Sequence, residues 1–244
     1  MKRIMLTISY DGTNYCGWQR QKNGDTVQGE LEKACTKLFK TPIESTGASR
    51  TDAGVHALGQ RAVIDVETTI PTEKVPLALN PLLPDDIVVT KAEDVDFEFN
   101  PRFKAKEKTY EYRIYNAPFR NPIYRHMSEY VREKLDVEKM QTAAGYFVGE
   151  HDFKGFCSAG GSAKTTVRTI YSAEVEQKEN FIVIRVRGNG FLYNMVRIIA
   201  GTLIYVGIGK IDPLKMGEII ESGDRTKAGK TAGPSGLTLV KIVY

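Results

Sequence analysis

The same order of periodicities runs twice along this chain: strand, helix, strand, strand, helix, strand. Ile4, Leu6, Ile8 and Tyr10 alternate with mostly polar neighbours, the two-residue repeat of a half-buried strand. A helix follows in which Val27, Leu31, Ala34, Cys35 and Leu38 share a face, with Asp25 expected as its cap. A short strand at 43–47, a strand through Ala62, Ile64 and Val66, a short helix at 73–80 and a strand at 87–91 complete the first round. The second begins with a strand at 108–115 and a helix opened by Asp136. It continues with a hairpin across Lys178-Glu179-Asn180, a helix at 192–206, an added helix from Asp212-Pro213 and a strand at 237–243. The pattern predicts an α+β fold: two ferredoxin-like βαββαβ halves joined side by side in a pseudo-twofold arrangement, with a mainly antiparallel sheet and a central cleft. The expected division is 1–104 and 105–244, because an acidic stretch gives way to a basic one there.

That charge shift also says something about partners. Residues 85–98 hold six acids against Lys91, whereas 101–134 hold nine Lys or Arg against four Glu, more than the net +4 of the whole chain. Such segregation suits a surface that neutralises phosphates on one side, and it also suits ordinary solvated strand faces. At 244 residues and 41% hydrophobic, the chain is long enough for two domains with real cores. Cys16, Cys35 and Cys157 have no metal-ligand spacing and are odd in number, so neither a metal site nor a disulfide framework is expected, and a reducing cytoplasm fits. The uncharged run at 198–209 has twelve residues, short of the roughly 20 that a bilayer-spanning helix needs.

The candidate for chemistry is the segment Gly47-Ala48-Ser49-Arg50-Thr51-Asp52-Ala53-Gly54-Val55-His56-Ala57, a small-residue loop placed between regular elements. It resembles the active-site motif of the tRNA pseudouridine synthase A family. Three further segments resemble that family in the same order: Tyr10-Asp11-Gly12 with Gly17-Trp18-Gln19-Arg20-Gln21, then Lys108-Thr109-Tyr110-Glu111-Tyr112, then Asn189-Gly190-Phe191-Leu192-Tyr193-Asn194-Met195-Val196-Arg197. The resemblance implies an isomerase that needs no cofactor and no metal. It breaks the glycosidic bond of uridine, turns the base and rejoins it through carbon, at positions 38, 39 and 40 of the tRNA anticodon arm. It implies a homodimer in which each tRNA spans both subunits.

Roles follow from the same resemblance. Asp52 is the expected catalytic carboxylate, and Tyr110 and Arg197 the substrate-binding pair. Arg50 is expected to guard the gap left by a flipped base. An ionised carboxylate in a dry pocket needs a cation to stay charged, and a charge such as Arg197 inside an apolar helix face is costly unless paired; the resemblance implies that the two pair. The same helix position also suits an arginine that lays its stem over the core and reaches solvent. Two tyrosines on one strand face likewise suit a core as well as a stacking platform. His56 is expected to fix the loop rather than move protons. Phe99, Asn100, Pro101, Arg102 and Phe103 correspond to one RNA-contact segment, and Gly160, Gly161, Ser162, Ala163 and Lys164 to another. Pro101 stands where alanine is expected in many relatives. Asn194 stands where many carry histidine, so no proton transfer by a histidine at that position applies here. Two other readings remain at this point: an RNA-binding protein or chaperone of the same fold without isomerase activity, and a carboxylate-dependent RNA glycosidase.

Overall fold

The computed structural model describes residues 1–244 apart from Asn23 and Ser162. Its chain forms two compact units, Met1–Lys106 with Leu239–Tyr244, and Glu107–Thr238.

In the first unit, β1 (Lys2–Tyr10) leads to α1 (Val27–Phe39), β2 (Ser45–Gly47), β3 (His56–Val66), α2 (Val75–Leu79) and β4 (Ile87–Val95). The strands lie in the order β4-β1-β3-β2 and every pairing is antiparallel, the ferredoxin-like arrangement expected from the periodicity. Register explains the alternation: Ile4 faces Ile64 and Leu6 faces Ala62 across the β1–β3 ladder, all four buried. Val27, Leu31, Ala34 and Cys35 are the buried stripe of α1. The helix cap is Thr26 rather than Asp25. Thr26 has extended φ/ψ and its hydroxyl accepts the Gly29 N–H, which places the first helical residue one position later than the aspartate would.

The second unit carries β5 (Glu107–Asn116), β6 (Glu129–Val131), α3 (Val137–Gly145), β7 (Gly149–Asp152), β8 (Val167–Lys178), β9 (Phe181–Gly188), α4 (Met195–Gly207) and α5 (Met216–Ser222). Its strands run β5-β9-β8-β7, antiparallel, with β6 added parallel to β5. The hairpin turns where expected, with Glu179 at φ 53°. Asp136 caps α3 through the Lys139 N–H, and Asp212 caps the 3-10 turn Pro213–Lys215 that precedes α5. The short strands β6 and β7 are additions to the expected order. Phe147 lies just beyond the end of α3 and is fully buried against Phe153 and Phe156.

The final strand, β10 (Leu237–Val243), lies beside β3, and its Leu239–Val243 part belongs to the first unit. Among the described residues, no helix is long and apolar enough to cross a membrane. The three cysteines are free thiols.

Candidate active site

The Asp52 loop leaves β2 and returns into β3, and neighbouring segments pin it at nearly every step. Ala48 N–H donates to Arg61 O at 2.8 Å. The fully buried Gln60 then grips Ser49 on both sides, its Oε1 accepting the Ser49 N–H at 3.2 Å and its Nε2 donating to Ser49 O at 2.7 Å. The Thr51 hydroxyl shares a buried 2.7 Å hydrogen bond with the Tyr10 hydroxyl, and Thr51 O accepts the Trp18 N–H at 3.1 Å. Asp52 O accepts the Val55 N–H at 3.1 Å, closing a turn in which Gly54 takes φ +75°. Gly54 N–H donates to Tyr15 O at 3.2 Å. The loop is thus built on β1, β3 and the Tyr15–Trp18 segment, and it holds Asp52 half-buried with Arg50 exposed on its outer side.

His56 ends the loop as the first residue of β3. Its Nδ1 accepts the Gly12 N–H at 3.0 Å and lies 3.0 Å from an Asp11 carboxylate oxygen. The ring is therefore engaged with the turn after β1, a position that suits loop fixation.

In the second unit, Tyr110 on β5 is buried on the same face as Tyr112 and meets Phe191 edge-on, ring centroids 5.2 Å apart at 83°. Tyr112 is a core residue. Its hydroxyl donates to Gly233 O at 2.8 Å, and burial pushes its pKa upward, with the Glu129 carboxylate adding to the rise and the Arg197 cation opposing it. Arg197 on α4 is half-buried. Its Nε donates to Ala232 O at 2.8 Å and one terminal nitrogen to Asn194 Oδ1 at 2.9 Å, while Ala232 N–H donates back to Arg197 O at 3.1 Å. The guanidinium is held in one direction by these bonds.

The two expected RNA-contact segments are surface turns. Phe99 stacks edge-on against Tyr244 at 4.9 Å, Asn100 Oδ1 accepts the N–H groups of Arg102 and Phe103, and Pro101 is buried. Arg102 and Phe103 therefore project, Phe103 with 80% of its surface exposed. Gly160, Gly161, Ala163 and Lys164 are exposed as well, and Ser162 lies outside the described residues. Among the described residues there is no cluster of His, Cys, Asp and Glu that could hold a metal ion.

Arg50, Asp52 and His56 share one loop of the first unit, which also carries residues 99–103. Tyr110, Arg197 and residues 160–164 belong to the second. Sequence reasoning assigned no role to Tyr10, Trp18, Gln60 or Asn194. The first two lie in the motif-bearing segments 10–12 and 17–21, and that placement was the available signal. Gln60 carried none, because its meaning depends on the residue that the fold sets against it.

Fold and loop together define an α+β enzyme scaffold in which a carboxylate is held half out of water on a rigid loop. Comparison with known proteins narrows the class. The family model described as tRNA pseudouridine synthase matches residues 6–104 and 143–244, covering Asp52 and Arg197 and leaving Tyr110 outside. The chain is 56% identical over 245 residues to the tRNA pseudouridine synthase A of Ruminiclostridium cellulolyticum. It is 51% identical to that of a Thermoanaerobacter species and 50% identical to that of Caldicellulosiruptor bescii, and each of these three alignments covers 100% of both proteins. The chain belongs to the tRNA pseudouridine synthase family, a family of isomerases.

Proposed function

We propose that this enzyme converts uridine to pseudouridine in tRNA, at positions 38, 39 and 40 of the anticodon arm, with Asp52 as the catalytic carboxylate. The observation that carries the proposal is the loop itself. A carboxylate held half-buried by Tyr10, Trp18, Gln60 and Tyr15 through its neighbours' backbone and side chains is pre-organised, and pre-organisation is what a single-carboxylate reaction depends on. The reaction cleaves the bond between the sugar's C1′ and N1 of uracil, joins C1′ to C5, and removes the C5 proton while N1 gains one, directly or by exchange through solvent. Electrons balance without an oxidant. A carboxylate serves it either as nucleophile or as the base that removes a proton.

The other roles rest on the family resemblance together with placement. Exposed Arg50 beside Asp52 suits a side chain that enters the gap left by an extruded base. Tyr110 offers a ring already braced by Phe191, and Arg197 a cation aimed by Ala232 O and Asn194 Oδ1. Arg102 and Lys164, both exposed, suit phosphate contacts. A homodimer in the cytoplasm is the expected working form.

The test uses unmodified tRNA incubated with the wild type, Asp52→Ala and Asp52→Asn, followed by digestion to nucleosides and chromatography. The expected result is pseudouridine at 38–40 from the wild type and none from either variant. Free uracil from the wild type indicates the glycosidase, and binding without any product indicates the non-catalytic RNA binder. Pseudouridine from Asp52→Ala refutes the assignment of Asp52.

A further inference from the structure

Asn194 occupies an unusual position for its residue type. It is the N-cap of α4, where asparagine ordinarily adopts extended φ/ψ and accepts a hydrogen bond from the helix's first turn. Here it sits in the left-handed region at φ 60°, ψ 6°, and among the described residues its side chain makes no capping bond. A cap is given up, and the backbone takes a left-handed conformation that asparagine tolerates better than most side chains. The amide is engaged elsewhere. Oδ1 accepts from the Arg197 guanidinium at 2.9 Å, and Nδ2 donates to the Ser158 hydroxyl at 3.0 Å.

The orientation of the amide is chemically forced. A guanidinium has only donors, so it must meet the oxygen, and the nitrogen is left for Ser158. The backbone reinforces the same join, since Ser158 N–H donates to Tyr193 O at 3.1 Å and Ile198 N–H donates to Asn194 O at 2.9 Å. On the far side of the guanidinium, Nε is fixed by Ala232 O at 2.8 Å. Asn194 is thus the middle of a line running from Ser158, at the root of the segment that carries Lys164, to Arg197.

We propose that Asn194 is a positioning residue for the isomerisation, which aims the Arg197 guanidinium and ties its direction to Ser158. It acts through Arg197 and does not touch the reacting atoms. The inference rests on the reading above that Arg197 serves the substrate.

Asn194→Gly separates this role from a structural one, because glycine is at ease at φ 60° and is tolerated as an N-cap, so the helix loses little. Arg197 then loses one of the acceptors that fix it. The expected result is a fall in kcat of about tenfold, the equivalent of one hydrogen bond to a charged group, with KM for tRNA and the unfolding midpoint near wild type. Ser158→Ala, which removes only the outer end of the line, is expected to give a smaller fall in kcat in the same direction. Arg197→Ala serves as the control. If Arg197→Ala abolishes turnover while Asn194→Gly retains the wild-type kcat, the positioning role is refuted and the functional reading stands. A kcat for Asn194→Gly that falls only in step with a lowered unfolding midpoint refutes it too, since that is the signature of a structural residue. Normal turnover by Arg197→Ala overturns both.

Discussion

Gly17 is where a single methyl group should report on the whole loop. Its φ is +94°, and a Cβ built on it lies 2.5 Å from Thr51 O, 3.0 Å from Asp52 C and 3.1 Å from Ala53 N. All three are backbone atoms, so no side chain can swing away to relieve the contact. Gly17→Ala therefore carries two costs. The left-handed conformation costs about 1 to 2 kcal/mol in an alanine. Moving the loop aside strains the Trp18 N–H to Thr51 O bond and its neighbours, for about 1 kcal/mol more. A total of about 2 to 3 kcal/mol corresponds to a fall in the unfolding midpoint of roughly 4 to 12 °C for a protein of this size. The displacement needed to restore ordinary contact is about 1 Å, and a shift of that size in a catalytic group can cost about a hundredfold in rate. Gly209→Ala is the control, since Gly209 has φ +77° with nothing within 4 Å of its Cβ and carries only the first cost. The two variants are compared by calorimetry and by isomerisation of tRNA well below either midpoint. If Gly17→Ala loses no more stability than Gly209→Ala and isomerises tRNA at the wild-type rate, the loop is not held in the way described.

Three further outcomes are expected. Arg102→Ala and Lys164→Ala should each weaken tRNA binding and lower the slope of log affinity against log salt by about one, with a saturated rate near wild type; an equal loss of saturated rate would move either residue into the chemistry. Arg3 grips Asp65 with two 2.7 Å hydrogen bonds that hold the carboxyl below its ordinary pKa. A depressed carboxylate stabilises the fold above its unfolded pKa and stops doing so as pH falls through the folded one. Arg3→Ala should therefore be less stable than wild type by less than about 1 kcal/mol at neutral pH, given the exposure of the pair, and the gap should close below about pH 4 in acid titrations of unfolding. Burial pushes the Cys35 thiol up to about 12, so alkylation at pH 8 should label exposed Cys16 and spare Cys35 until the protein is unfolded, as mass spectrometry of the labelled peptides would show.

The first unit was the more legible because its elements are long enough for periodicity to speak. β1 shows four alternating apolar residues and α1 a full apolar stripe, and both stand where expected. The shift of the α1 cap by one residue reflects two adjacent residues that both cap well, Asp25 and Thr26, a choice made by the chain's path and not by propensity. β6 has three residues and the polar β7 has four, too few for a repeat to show. The motif around Asp52 pointed to the loop, but not to what holds it. Gln60 reads in sequence as one more polar residue in a strand, and only the pairing of β3 turns its amide toward Ser49. Asn194 is opaque for a related reason, since a left-handed cap is a property of the backbone around it and leaves no mark on composition.

The chain's connectivity has a consequence for how the molecule is made. The second unit is one continuous stretch, complete in itself once Thr238 has been reached, whereas the first needs the strand that comes after it. Until then the edge of β3 around Gly59, where Val240 will come to lie close enough that even a methyl group could not fit between, has no neighbour to cover it. An uncovered strand edge invites pairing with other chains. The half that starts first in synthesis is therefore the half that finishes last, and its vulnerable interval is the time taken to produce the other.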